Sequence, residues 1–206
     1  MENNIITPEN AVICKDVCKS FGEKQVLKDV SFVFPYGRIT AVKGDSGCGK
    51  TTLLRIIAGL EKADSGTVSG ILPNEITFLF QEDRLLPWLT AIKNVEAVIK
   101  DKERRPLAKE ILTALSLGDE KDLSAYPSEL SGGMARRVAI ARALCHLVTN
   151  DSKLLILDEA LRGLDKGNVE NTVEVIKRYS HGKTVISVTH NPTSLEEDAE
   201  TLTFSA

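Results

Sequence analysis

The sequence predicts an α/β fold in which a core with a mixed, mainly parallel sheet carries a small N-terminal antiparallel β-subdomain and an inserted helical subdomain. Three stretches point to it. GDSGCGKT, residues 44–51, fits the phosphate-loop pattern G-x-x-x-x-G-K-[ST] and stands between the apolar run ITAVK and the helically periodic TTLLRIIAGL. That is the strand, loop and helix context the pattern needs. LLILD and TVISVT are short apolar runs separated by the helix-length segment KGNVENTVEVIKRYS, which reads as a βαβ unit of a parallel sheet. Between about residues 90 and 147 the apolar spacing turns helical: Ile92, Val95 and Ile99 share one face, as do Leu107, Ile111, Leu112 and Leu115. The chain is read as a single domain over 1–206, with the core and β-subdomain at about 1–85 and 150–206 and the helical subdomain at about 86–149.

In chain order, AVICKDV, a turn at FGEKQ, and VLKDVSFVF predict an antiparallel pair, ended by Pro35 and Gly37 before RITAVK. After the phosphate-loop helix, ADSGTVSG reads as a Gly/Ser-rich turn into a strand, and EITFLF as a strand buried on both faces, with Gln81 directly behind it. The basic run KDKERRP at 100–106 reads as a solvated turn and helix start.

With 206 residues, 42% of them apolar, the chain is long enough to bury a full core. A net charge of -3 and a pI near 5.7 give no broad basic surface, so nucleic acid is not an expected partner. No apolar stretch reaches the ~18 residues of a membrane span, and MENNIITPEN lacks the regions of a secretory signal. A soluble, cytoplasmic chain is expected. Cys14, Cys18, Cys48 and Cys145 are irregularly spaced and are read as reduced thiols without a metal, since no second Cys or His pair lies near Cys14 and Cys18.

Chemistry concentrates at three places. In the loop Gly44, Asp45, Ser46, Gly47, Cys48, Gly49, the glycines let successive backbone N–H groups curl around an anion at the start of a helix. Lys50 then supplies charge for phosphate groups, and the hydroxyls of Thr51 and Thr52 follow, Thr51 being the hard oxygen suited to Mg²⁺. Asp158 and Glu159 end the run LLILDE, at the carboxyl edge of a strand where ligands of open α/β sheets collect. Strand alternation would send the two side chains to different sides, Asp158 toward a metal and Glu159 toward an attacking water. LSGGM precedes the helical ARRVAIARAL, so Ser131, Gly132 and Gly133 lie at a helix N-terminus. They form either a second anion nest or a plain N-cap.

Together GDSGCGKT, FLFQEDRLLPWLT, LSGGM, LLILDEA, LRGLD and SVTH resemble the ATP-binding subunit of an ABC transporter, over nearly the whole chain. The resemblance implies a P-loop NTPase core that binds ATP and Mg²⁺ and hydrolyses ATP. It assigns Gln81 to the metal or its water and to sensing a membrane partner, His190 to the γ-phosphate, and Asp165 to the opposite subunit. Phe21 takes the place of the aromatic that stacks on adenine, although a core Phe fits the composition equally. Thr51, Gln81 and Asp158 are the implied metal set, and Glu159, His190, Lys50 and Gln81 the implied catalytic set. The implied assembly is a homodimer or heterodimer of ATPase subunits docked under an integral membrane permease at the inner face of the membrane, with a separate solute-binding protein.

The stretch FQEDRLLPWLT is most similar to importers of nitrate, alkylsulfonates, taurine or thiamine precursors, and the region from Gln81 to Asn94, with Leu86, Pro87 and Trp88, is the expected docking surface. Trp88 packed inside the helical lobe is the competing placement. Met134, Ala160 and Arg162 depart from the family pattern, and only sixteen residues follow His190, too few for the regulatory domains of some relatives. His146 and His181 match no motif and are read as surface residues. A soluble, non-transport ABC-type ATPase is the alternative reading.

Overall fold

The computed structural model describes residues 7–189, 193–197 and 199–204. Five parallel strands run through its centre: β3 (Ile39–Gly44), β5 (Ile76–Leu79), β6 (Leu154–Asp158), β7 (Thr184–Val188) and β8 (Glu200–Phe204), ordered β5-β6-β7-β3-β8. Antiparallel pairing is confined to a separate sheet of β1 (Ala11–Phe21), β2 (Lys24–Pro35) and β4 (Ser65–Ser69), ordered β2-β1-β4. All five residues of β6 and of β7 are buried, as expected of central strands covered on both faces.

Alternation along these strands divides the core in two. Leu154, Ile156, Ile186 and Val188 face a cluster shared with α1 (Lys50–Ile57) and the antiparallel sheet, through Leu53, Leu54, Val12 and Phe34. Leu155, Leu157 and Val185 face the other cluster, built with α2 (Ala91–Glu96), α3 (Pro106–Ala114), α5 (Gly132–Thr149) and α6 (Lys166–Tyr179). The helices between Ala91 and Thr149 therefore share a core with one face of the parallel sheet. Each fully buried Leu or Ile here contributes about 2 kcal/mol.

Three elements differ from the sequence-based expectation. Within ADSGTVSG, read as a turn into a strand, the strand β4 already begins at Ser65, and its Ser65, Thr67, Val68 and Ser69 pair with β1. Gly66 permits this: its φ is +83°, and a Cβ there would meet the Asp16 carbonyl oxygen at 2.3 Å, a close approach open only to glycine. Strand β8 pairs with β3 at the sheet edge, and its polar, half-exposed sequence ETLTF carries too weak an alternation to announce it. His146 is no surface residue. It is half-buried in α5, with Nδ1 2.8 Å from the Thr77 hydroxyl, and burial lowers its pKa from 6.5. His181 is exposed behind α6.

Candidate functional site

Between β3 and α1 the chain turns through Gly44, Gly47 and Gly49, at φ +154°, +79° and +105°. The Lys50 ammonium, 6% exposed, donates to the carbonyl oxygens of Gly44 at 2.8 Å and Asp45 at 2.7 Å. The loop thus closes around its own cation, leaving its amides to cradle an anion at the N-terminus of α1. Gly49 sits against β2: a Cβ there would lie 2.7 Å from Leu27 Cδ2 and 2.9 Å from the Val26 carbonyl oxygen. Gly49→Ala, which adds this clash to a left-handed φ, is expected to cost about 3 kcal/mol. Urea denaturation checks it, and a loss below about 1 kcal/mol would show that the loop relaxes.

A cavity of about 250 Å³ opens over this loop, lined by Ser46, Gly47, Gly49, Lys50, Thr51 and Thr52 together with Gln81, Asp158 and Glu159. Elements 78 residues apart meet directly, where Gln81 Nε2 donates to Glu159 Oε2 at 3.2 Å. Arg162 also pairs with Glu159 Oε2, at 3.1 Å. Asp158 and Glu159 line the same cavity. Strand β6 ends at Asp158, and Glu159 takes a left-handed φ of +49°, which turns its side chain back toward the loop. Its amide is held by the Val188 carbonyl at 2.9 Å.

Burial raises the Asp158 pKa above 3.8; the Thr51 hydroxyl lowers it, the Glu159 charge raises it, and Arg55 and Arg136 lower it. Ionised Asp158 therefore opposes folding increasingly as pH climbs past 3.8, since the raised-pKa acid stabilises only while protonated. A bound cation would relieve that cost. Among the described residues no three His, Cys, Asp or Glu gather as a metal cluster. One carboxylate with the Thr51 hydroxyl and the Gln81 amide instead offers hard oxygens to a cation that shares its shell with phosphate and water, which fits Mg²⁺.

The other expected site residues lie apart from this cavity. Ser131 caps α5, its Oγ accepting from the Met134 amide at 3.2 Å, and Ser131 and Gly132 are exposed. Asp165 caps α6, accepting from the Asn168 amide at 3.1 Å and side chain at 2.7 Å; the Asn168 bonds hold its pKa below 3.8. Phe21 ends β1 half-exposed, with the Lys19 ammonium 5.2 Å from its ring centre, and it is not in the cavity lining. His190 lies outside the described residues. Trp88 is 69% exposed, which excludes its packing inside the helices, whereas Leu86 is half-buried.

Val26, Asn94, Arg136 and Arg142 were not singled out from sequence. Val26 of β2 lines the cavity. Asn94 is fully buried and holds the backbone of Leu86, Leu89 and Thr90 with every polar atom of its amide. Arg136 and Arg142 grip residues 80–84. For Arg136 and Arg142 the available signal was charge inside an otherwise apolar helix, ARRVAIARAL, because a buried guanidinium must find acceptors.

The ABC transporter family matches residues 27–162. An aliphatic sulfonates import ATP-binding protein of Pseudomonas putida (strain KT2440) is 40% identical over 86% of this chain and 66% of its own length. One of Pectobacterium atrosepticum is 41% identical over 85% of this chain and 66% of its own. The chain thus spans just under two thirds of these relatives. A dimeric ATP-binding cassette solved in a post-hydrolysis state with ADP and Pi superposes with a TM-score of 0.75 at 33% identity, over 87% of this chain and 88% of that one. A solved ATP-binding subunit of an ABC transporter, 23% identical, shares the fold at a TM-score of 0.81 over 94% of this chain and 85% of its own. A phosphate loop facing a Gln and an acidic pair, the signature LSGGM opening a helix, and a family match over most of the chain leave one assignment: the chain belongs to the ABC transporter family.

Proposed function

We propose that this chain is the ATP-binding and hydrolysing subunit of an importer, that it works as a dimer, and that the imported solute is a small anion of the sulfonate class. The observation that carries the chemistry is the single cavity holding the phosphate loop, Gln81, Asp158 and Glu159. The names of the sulfonate-import relatives support the solute, and the dimeric cassette supports the assembly.

ATP would lay its β and γ phosphates on the loop amides, taking over the Lys50 hydrogen bonds now made to Gly44 and Asp45. Thr51, Asp158 and Gln81 would hold Mg²⁺, which when bound neutralises charge on the phosphate oxygens. Glu159 takes the proton of the attacking water, with Gln81 keeping its carboxylate in place. Phosphoryl transfer asks little more of the protein than positioning and charge neutralisation. By the family resemblance Phe21 would stack on adenine, and the role left for His190 is the γ-phosphate. From the other subunit, Ser131, Gly132 and Gly133 close over the triphosphate while Asp165 touches the opposing loop. Cleavage would remove the shared contacts, and the pair would open.

The helical subdomain at about 86–149 would meet the permease. An apolar groove of about 310 Å³ lined by Leu60, Pro73, Phe78, Phe80, Arg84 and Val98 is a suitable seat for a permease helix at the membrane, and Trp88 stands exposed. Among the described residues no helix is long and apolar enough to cross a membrane.

Phosphate release from Mg-ATP by the purified chain, alone and with its copurified permease, tests the reading. No nucleotide binding in either state would sink it. Uptake of an alkanesulfonate against nitrate by the reconstituted complex tests the solute. Ser131→Arg is expected to leave ATP affinity within about threefold while lowering turnover at least 100-fold, on the order of removing one oxyanion-type donor. Undiminished turnover would reduce Ser131 to its observed capping role.

A further inference from the structure

Two chain segments that carry the site's chemistry meet at one guanidinium. Arg136 lies in the second turn of α5 and is only 3% exposed. Its Nε donates to the Ala160 carbonyl at 2.6 Å. One terminal nitrogen donates to the carbonyls of Phe80 at 2.8 Å and Gln81 at 3.2 Å and to Asp83 Oδ1 at 3.2 Å. The other donates to the carbonyls of Glu159 at 2.9 Å and Asp158 at 3.3 Å. All of these acceptors belong to residues 80–83 or 158–160, the segments that present Gln81 and Glu159 to the cavity.

Arg142, further along the same helix, takes the carbonyls of Asp83 at 2.7 Å and Arg84 at 2.8 Å. One helix therefore holds the backbone on both sides of the Gln81–Glu159 hydrogen bond. The N-terminus of that helix is Ser131–Gly133.

We propose that Arg136 is a positioning residue that locks the Gln81 loop and the Glu159 strand end to helix α5, so that the two side chains are set as one unit and shift together when α5 moves. This rests on the hydrolytic reading of the site. The shape of the side chain is what suits it: five N–H groups in a rigid planar fork reach two backbone segments at once, whereas a lysine offers three donors from a single point. Asp83, 30% exposed at its side chain, is the directly bonded carboxylate, and the charges of Asp158 and Glu159 also face the guanidinium. The competing role is purely structural, a buried donor that satisfies strand-end carbonyls.

The full chain with Arg136→Lys and Arg136→Met separates the two. For Arg136→Lys, ATP affinity is expected within about threefold of the parent while kcat falls at least about tenfold. Arg136→Met falls about 100-fold, the scale of an ångström-level misplacement of catalytic groups. Amide hydrogen exchange should quicken in residues 81–85 and 159–162 together and stay unchanged in the phosphate loop, and the emission of the single Trp88, beside the first segment, should change. A kcat within about twofold of the parent in both variants would overturn the proposal. So would exchange that rises throughout the molecule in step with a lowered melting temperature, the mark of a structural role. If Arg136→Met does not fold, Arg136→Lys alone decides, because it keeps a buried cation. A parent chain that binds ATP but shows no turnover would refute the hydrolytic reading instead, and the paired exchange response would still judge the clamp.

Discussion

Lys50→Ala is expected to weaken ATP binding at least 100-fold, about 2.7 kcal/mol. Lys50 is buried at the first position of α1 and spends its donors on the carbonyls of Gly44 and Asp45. The substitution removes the cation that faces the phosphates and the two bonds that hold the loop closed. Charge-assisted hydrogen bonds are worth about 1.5–3 kcal/mol each, so losing even one at the triphosphate reaches the stated magnitude. Titration with a fluorescent nucleotide measures the affinity, and a thermal melt of the apo variant separates loss of the cradle from loss of the fold. Affinity within about threefold of the parent would contradict the role of the loop.

Glu159→Gln should lower kcat about 1,000-fold, within the usual contribution of a general base, with ATP affinity changed little. The variant is isosteric, and its side-chain oxygen still accepts from Gln81 Nε2, so geometry is kept while the proton acceptor is lost. The ion pair with Arg162 disappears too. At 67% exposure of the arginine side chain that pair contributes under about 1 kcal/mol. With hydrolysis stopped, Mg-ATP should remain as the contact between two subunits, and size-exclusion chromatography should find a dimer with ATP and a monomer without it. A monomer under both conditions would remove the shared-nucleotide mechanism, and undiminished turnover would take the base role from Glu159.

The phosphate loop could be read directly from GDSGCGKT because its requirements are local: glycines at φ that other residues avoid, a lysine at the first helical position, and flanking strand and helix. Strands β6 and β7 were equally plain, since burial on both faces demands an unbroken apolar run. Local reasoning failed where neighbours decide. Asp158 and Glu159 both line the cavity, as their shared site requires, but the left-handed φ of Glu159 that turns its side chain there is not legible in LLILDE. The start of SGTVS has the composition of a turn and became strand because β1 offered it an edge. His146 had no motif, and only the packing of α5 against β5 gave it Thr77 as a partner.

What the sequence by itself determined is the α/β class, the Gly-rich loop between β3 and α1 and the family resemblance, because each depends on residue types at fixed short spacings. Only the tertiary structure decided that Gln81 bonds to Glu159, that Trp88 stands exposed, and that the guanidinium of Arg136 joins residues 80–83 to 158–160. The Gln81–Glu159 and Arg136–Phe80 contacts join residues more than fifty positions apart in the chain. Their distances are set by how two core clusters pack on either face of one sheet, a quantity that no short window of sequence contains.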